Sequence, residues 1–341
     1  MFPDNVPAAV YDNLIAAVRA NLPAVHQYYQ LRRRLMKLDD IHFYDTYVPI
    51  LTDVNVERTW NEAVELVVEA LKPLGSAYGD ALAAGLRGRW CDRYENKGKH
   101  SGAFSSGCYD SDPYILMNYR ADVPDHVFTL AHEAGHSMHS RFSARNQPYQ
   151  YASYTIFVAE VASTFNEQLL GQYLMDRATD QRVKAHYLNR EIDDLRRTII
   201  RQTMFAEFET IVHDLAERNE PLTRETLRVE YGKLLQAYFG PDFVLDEELS
   251  LEGLRIPHFY RAFYVYKYAT GLSAAIALAE RVTAGGRAEL DAYLGFLKGG
   301  SSQDPLDLLR AAGVDMATPE PVDRALKRFA RLVGELERAL A

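Results

Sequence analysis

The sequence predicts a mainly helical protein with a small β-sheet beside one central helix. Apolar residues recur at helical spacing along most of the 341 residues. One short apolar and aromatic run, Tyr114–Tyr119, lies between Pro113 and Asp122 and predicts a strand. The helix that follows this strand carries His132 and His136. Their spacing of four residues places both imidazoles on one face, where they can bind the same ion.

The composition excludes several classes of protein. With 48% hydrophobic residues, the chain can build a core for one large domain or two. A net charge of -9 argues against a nucleic-acid surface, which needs clustered basic residues. Cys91 and Cys108 are the only cysteines, so a disulfide framework and a cysteine zinc cluster are excluded. Because the sequence also lacks a signal peptide and a membrane-spanning stretch, we expect a soluble cytoplasmic protein.

Apolar periodicity predicts three helices before residue 95, and none of them carries residues that suggest chemistry. They span residues 8–37, 53–74 and 78–93, and an aromatic loop covers residues 39–50. Pro23 is expected to interrupt the first helix, because proline lacks the backbone N–H that a helix interior uses. Thr52 or Asp53 is expected to cap the second.

A region rich in glycine and serine, residues 98–107, precedes the predicted strand 114–119. The free edge of this strand could pair with an extended peptide and orient its backbone beside the next helix. The alternative is a small hairpin that only covers the helix. The two interpretations are compatible, and both predict a sheet near residues 101–120.

The helix after the strand contains the string His-Glu-x-x-His, which is the pattern of zinc-dependent hydrolases. His132 and His136 lie one turn apart and can both bind one ion. Glu133 lies about 100° round the helix, where it can act as a general base without binding the metal. The alternative is an exposed helix whose histidines are incidental.

A catalytic zinc usually has three protein ligands, so a third ligand is needed. A metzincin would have a histidine at position 142, and Phe142 excludes that class. Glu160, early in the next predicted helix at 156–174, is preferred over His139, because His139 is about two turns away from His132. Ser163 and Glu167 share a face with Glu160 and either orient the ligands or are plain solvated positions.

The remainder of the chain predicts further helices and one unusual segment. The helices span residues 180–218, 223–239, 287–298, 305–312 and 321–340. Residues 253–268 combine His258 with several tyrosines. Their spacing favours a buried stripe of Tyr260, Tyr264 and Tyr268 on one helical face. The alternative is a set of hydrogen-bond donors for the oxyanion of an amide hydrolase.

Together, residues 101–107, 113–118, 128–140 and 157–167 and the His258 segment resemble oligoendopeptidase F within the thimet-oligopeptidase-like zinc metallopeptidases. The resemblance implies one Zn²⁺ per chain on His132, His136 and Glu160, with Glu133 as the general base. It also implies that His258 and the tyrosines after it contact substrate and stabilise the oxyanion. Of these, Tyr264 is the first candidate for catalysis, and Tyr260 and Tyr266 are candidates for substrate binding.

Members of this family are usually longer, with an N-terminal helical region that forms the opposite wall of a deep channel. The resemblance therefore implies an apolar surface that is exposed, remodelled or buried against another subunit. A homo-oligomer or another partner is expected to cover it.

These observations predict a zincin-like catalytic domain over residues 1–341, with a possible division into a helical lobe, 1–95, and a zinc-site region, 96–341. The predicted reaction is the hydrolysis of internal peptide bonds in oligopeptides. Two alternatives remain open: a zinc exopeptidase of related fold and a non-catalytic module that binds peptides or assists assembly. Glu133 argues against the second, because a binding module needs no base.

Overall fold

The computed structural model describes residues 1, 4–52, 54 and 56–340. The described residues form twelve α-helices, and the prediction of a mainly helical fold is confirmed. The helices are α1 Ala8–Met36, α2 Trp60–Ala70, α3 Ser76–Arg87, α4 Asp125–Asn146, α5 Ile156–Arg177, α6 Gln181–Leu195, α7 Arg201–Glu217, α8 Arg224–Phe239, α9 Tyr266–Ala284, α10 Arg287–Lys298, α11 Pro305–Ala311 and α12 Glu320–Leu340. A π-helical turn, Arg196–Ile200, joins α6 to α7.

The described residues also contain five short strands, which are β1 Ile41–His42, β2 Cys91–Asp92, β3 Phe104–Ser106, β4 Tyr114–Leu116 and β5 Phe243–Val244. β1 and β5 form a parallel pair, whereas the other three form a sheet in the order β2-β4-β3. β4 is therefore the central strand, and the prediction that its edge is free for a peptide is wrong. The free edge beside α4 belongs to β3, where the hydroxyls of Ser105 and Ser137 lie 2.7 Å apart.

The first helix continues through Pro23, so the predicted interruption is wrong. Proline removes one helical hydrogen bond, but Leu22 and Val25 on either side of it are buried. α1 packs against α12 and α8. We infer that this packing keeps both halves of α1 in line.

The second predicted helix begins seven residues too early. α2 starts at Trp60, and Thr59 caps it by accepting the backbone N–H of Glu62, whose side chain returns to the Thr59 N–H. Thr52 precedes the helix, and Asp53 lies outside the described residues. A reciprocal Thr–Glu cap satisfies two backbone donors, which explains why the helix begins here.

Two further boundaries differ from the prediction. α3 ends at Arg87, and β2 occupies part of the predicted helix because its residues pair with β4. α4 extends to Asn146, so the predicted loop at 143–153 begins at Gln147.

α9 is the longest helix that the sequence analysis did not predict. It packs against α5 and α12. One continuous cluster of buried apolar side chains runs from Val6 to Leu336 and contains residues of all these helices. α4 and α5 cross inside this cluster, so the core holds both helices that carry the candidate ligands. Among the described residues, no helix is long and apolar enough to cross a membrane.

Candidate metal centre

Two helices bring the predicted ligands together. His132 and His136 lie one turn apart on α4, with their Nε2 atoms separated by 3.2 Å. Glu160, near the start of α5, places its Oε2 atom 3.4 Å from Nε2 of His132 and 3.8 Å from Nε2 of His136. All three donor atoms lie within 4.8 Å of one another.

These distances fit a tetrahedral metal site. Zinc bonds of about 2.0–2.1 Å in a tetrahedron separate neighbouring ligand atoms by roughly 3.3 Å. The three measured separations, 3.2, 3.4 and 3.8 Å, are close to that value. His132 donates its Nδ1–H to Glu167 over 2.8 Å, which leaves its Nε2 lone pair for an ion. The donor set of two imidazoles and one carboxylate is one that zinc uses in hydrolases.

The surroundings of the ligands favour a cation. Burial alone would lower the pKa of His132, but hydrogen bonds to Glu160 and Glu167 raise it well above its ordinary value. Burial lowers the pKa of His136 to about 4. Both carboxylates overcome their burial and have lowered pKa values, because His132 stabilises their charge. Arg190 pairs with the second oxygen of Glu167 at 3.1 Å and fixes that side chain further.

Ser163 and Glu167 contact the candidate ligands, and the interpretation of both as solvated positions is wrong. The hydroxyl of Ser163 donates to the backbone oxygen of Glu160 over 3.0 Å and lies 3.4 Å from its carboxylate. Ser163 is fully buried, and Glu167 holds the ring of His132 in one orientation.

Glu133 lies beside the ligand set as a buried acid. Its side chain is only 6% exposed, and its Oε2 atom has no hydrogen-bond partner in the protein. Burial raises the pKa of Glu133, although the neighbouring His132 acts in the opposite direction. A carboxyl group with a raised pKa and a free oxygen is suited to accept a proton and return it.

The close crossing of α4 and α5 depends on glycine at position 135. A Cβ atom on Gly135 would lie 2.5 Å from the Cα atom of Ser163 and 2.6 Å from the backbone oxygen of Ala162. α9 approaches Glu160 in the same way, because a Cβ on Gly271 would lie 3.1 Å from the Cβ of Glu160. Small residues at these two points allow three helices to meet at the ligands.

Substitution of Gly135 by alanine is expected to separate the ligands. The added methyl group has to push α5 away from α4, which we expect to destabilise the fold by about 1–3 kcal/mol and to weaken zinc binding. The measurements are urea unfolding and a zinc titration in competition with a chromophoric chelator.

Gly79→Ala is the matched control, because a Cβ at this position of α3 meets no atom within 4 Å. This control should gain about 0.5–1 kcal/mol, as alanine does in place of glycine inside a helix. If Gly135→Ala bound zinc as the unchanged chain does, the crossing would not set the ligand geometry.

His139, the alternative third ligand, is not part of the cluster. Its ring is 1% exposed and stacks on Tyr154 at 3.7 Å between centroids. The other side packs towards Phe296. Burial lowers the pKa of His139 to about 3, so it is a neutral core residue.

The His258 segment is not a continuous helix, and the buried stripe of tyrosines is wrong. Pro257–Tyr260 forms a 3₁₀ turn, and α9 begins only at Tyr266. Tyr260 is 90% exposed at the surface. Tyr266 is fully buried with its ring against Tyr11 and Phe157, so its assignment to substrate binding is wrong.

The structure groups His258 with Tyr264 and Tyr268. The rings of His258 and Tyr264 stack at 5.6 Å, and the Tyr268 hydroxyl donates to the Tyr264 hydroxyl over 3.2 Å. Tyr268 lies close enough to Glu160 for that charge to contribute to its raised pKa, after burial and Tyr264. Tyr268 thus belongs to this group, a contact that the sequence did not predict. Tyr268 follows Tyr264 by four residues, and this spacing could have indicated that the two side chains are neighbours.

A buried acid on α7 anchors the turn between His258 and α9. Glu209 accepts the backbone N–H of Phe263 over 2.8 Å, and its other oxygen has no hydrogen-bond partner in the protein. Phe263 has a φ of 54°, a left-handed conformation that is costly for a bulky residue. Its ring stacks on His213 at 4.8 Å. These contacts hold the strained residue next to Tyr264.

The stability of the chain is expected to fall with rising pH because of Glu209. Burial raises its pKa from 4.5 to about 7, so between these values the folded chain keeps a proton that the unfolded chain has released. The difference corresponds to about 3 kcal/mol, lost as the pH rises through this window. Glu209→Gln should therefore match the unchanged chain near pH 4.5 and exceed its stability at pH 8.

Urea unfolding at both pH values measures this difference. The amide oxygen of the variant can still accept the Phe263 N–H, so the packing is retained. An equal stability difference at both pH values would contradict the raised pKa.

Comparison with known proteins agrees with this geometry. Residues 1–328 match Peptidase family M3. The chain is 48% identical over 337 residues to oligopeptidase PepF of Bacillus subtilis, covering 99% of this chain and 50% of the relative. A crystal structure of a putative peptidase from Chlamydophila abortus superposes with a TM-score of 0.89 at 42% identity, covering 98% of this chain and 56% of the other.

A crystal structure of oligoendopeptidase-F from Enterococcus faecium superposes with a TM-score of 0.77 at 37% identity, covering 98% of this chain and 53% of the other. The chain thus spans about half the length of the relatives that it matches. Because the match extends over nearly all of this sequence and the identity is high, the chain belongs to peptidase family M3.

Proposed function

We propose that this chain is the catalytic part of a zinc peptidase that hydrolyses internal bonds of oligopeptides. One observation carries the proposal: two imidazoles and a carboxylate converge within 4.8 Å, next to a buried carboxyl oxygen without a partner. Such a combination suits the hydrolysis of an amide and has no evident use in a core. The names of the relatives, oligopeptidase and oligoendopeptidase, support the substrate class.

His132, His136 and Glu160 would hold the ion, and Glu167 and Ser163 would keep two of these side chains in place. When bound, zinc supplies a Lewis acid that polarises a carbonyl and acidifies water. The chain's own residues move the proton. The Oε2 atom of Glu133 accepts it from the attacking water, and the same carboxyl group delivers it to the nitrogen of the leaving amine.

His258 and Tyr264 would stabilise the negative charge that develops on the peptide oxygen. The two rings stack on each other, and the residue before Tyr264, Phe263, is held by its hydrogen bond to Glu209. The Tyr268 hydroxyl donates to the Tyr264 hydroxyl, which leaves the Tyr264 proton free to point to a substrate. Donors that are already oriented cost no reorganisation during the reaction. Tyr260, exposed on the same turn, remains a candidate for contact with substrate.

The choice between endopeptidase and exopeptidase is tested with two versions of one oligopeptide. One has free termini, and the other is acetylated and amidated. We expect the chain with zinc to cut both at the same internal bond, as measured by mass spectrometry of the products. Removal of single terminal residues from the free version alone would favour the exopeptidase. Binding of both without any product would favour a non-catalytic module.

The other sequence predictions stay predictions. We propose that residues 1–341 act as one catalytic domain, supported by the continuous buried cluster from Val6 to Leu336. A homo-oligomer or partner that covers part of the surface is tested by sedimentation at several concentrations. The cytoplasmic location rests on the sequence alone.

A further inference from the structure

A cavity of about 630 Å³ lies along α4 beyond the metal centre. Its floor includes Ser140 and Ala144, which follow His136 at intervals of one helical turn. Its walls are the turn between β3 and β4, with Cys108 and Tyr109, and the loop after α4, with Tyr149 and Tyr154. We call it the tyrosine cavity. Its volume lies within the range of about 300–1,000 Å³ that is typical of ligand pockets.

The tyrosine cavity begins one helical turn beyond the metal centre. Ser140 lies one turn from His136, which is about 6 Å along the helix axis. The Tyr154 hydroxyl hydrogen-bonds to the Ser140 hydroxyl at 2.8 Å and lies 3.5 Å from the backbone oxygen of His136. An extended peptide advances about 3.3 Å per residue, so a peptide bond at the metal centre places a side chain here within two or three residues.

The free edge of β3 leads to the same place. The strand ends at Ser106, and the next residues, Gly107 and Cys108, already line the tyrosine cavity. Ser105 joins this strand to α4 through Ser137. A peptide that pairs with the edge of β3 would therefore pass directly in front of the opening.

Several polar side chains that line the tyrosine cavity are already paired within the protein. The Tyr109 hydroxyl donates to the backbone oxygen of Gln147 over 2.9 Å, and the Tyr154 hydroxyl is paired with Ser140. The guanidinium of Arg141 is paired with Asp112 and lies over the ring of Trp90. An apolar guest therefore leaves none of these groups without a partner, whereas a charged guest would have to break an existing pair.

Three tyrosines line the cavity. Tyr109 and Tyr149 meet edge to face, with ring centroids 5.5 Å apart, and Tyr154 is fixed by its stacking on His139. Rings in this arrangement offer both faces and edges to another aromatic group. We propose that the tyrosine cavity is a subsite for a bulky uncharged side chain of the substrate, aromatic by preference; this inference rests on the proposed peptidase function.

Cys108 gives a way to block the cavity. It is exposed and lines the opening, whereas burial raises the pKa of the half-buried Cys91 to about 12 and keeps that thiol protonated. A bulky maleimide should therefore attach at Cys108. Cys108→Ser, treated with the same reagent, is the matched control.

The test compares end-blocked quenched oligopeptides that carry phenylalanine, alanine or aspartate in turn at each of three positions on either side of one cleaved bond. At one position we expect phenylalanine to raise kcat/KM about 10-fold or more over alanine, and aspartate to give no gain. Labelling of Cys108 should reduce this ratio to about 1 and change cleavage of the alanine peptide by less than about 2-fold. Ala144→Phe, which fills the cavity from α4, should act in the same way without the reagent.

Several results would overturn the subsite. These are a preference for aspartate, equal cleavage of the phenylalanine and alanine peptides, or equal loss of both peptides after labelling. If the unlabelled chain cleaves no peptide, the proposed function fails, and the subsite is then tested by the rate at which Cys108 is alkylated. Slower alkylation with the phenylalanine peptide than with the alanine peptide supports the subsite, and equal rates reject it.

Discussion

Glu133→Gln should abolish peptide hydrolysis and leave zinc binding intact. Glutamine has the same size but cannot take a proton from water, so we expect turnover to fall by about 10²–10⁴-fold. The ligand atoms belong to His132, His136 and Glu160, which this change does not touch. The measurements are the cleavage rate of a quenched oligopeptide and the zinc content of the purified variant.

Glu65→Gln is the control for this change. Glu65 is exposed on α2 and pairs with Arg87, which is not one of the candidate ligands. It should retain full turnover. Normal cleavage by Glu133→Gln would mean that another group accepts the proton.

Glu160→Ala is expected to weaken zinc binding more than Glu167→Gln does. It removes one of three ligands, whereas Glu167→Gln removes only the acceptor that orients His132. Loss of such an outer partner typically weakens metal binding by about 10–100-fold, and loss of Glu160 should exceed that range. A chelator competition assay ranks the two variants.

This ranking also separates Glu160 from its alternatives. His139→Ala should alter stability through the core and leave the zinc dissociation constant unchanged, because His139 stacks on Tyr154 away from the ligands. A weaker effect for Glu160→Ala than for Glu167→Gln would contradict the assignment of the third ligand.

The convergence of His132, His136 and Glu160 could be predicted because it depends on local spacing. His132 and His136 lie on one face of any helix, and Glu160 begins the next amphipathic stretch. The roles of Glu167 and Ser163 stayed open, because they depend on the angle at which α4 and α5 cross. That angle depends on Gly135, whose space is visible only in three dimensions.

Some elements could not be predicted from the sequence, for physical reasons. β2 and β3 are two and three residues long, and both pair with β4 elsewhere in the chain, so no periodic pattern marks them. α9 consists largely of small and apolar residues that are buried on most sides, so it lacks the polar face that identifies a helix. Tyr266 was assigned to substrate binding by the family resemblance, and its burial depends on tertiary packing that the sequence does not show.

The most direct test of a single zinc-dependent peptidase centre is a titration of the metal-free chain with zinc, read as the cleavage rate of an end-blocked oligopeptide. We predict that the rate rises in proportion to zinc until one ion is bound per chain and then levels off. His136→Ala should stay at the starting rate throughout. A rate that does not depend on zinc, or full activity in His136→Ala, would contradict the assignment of the metal centre.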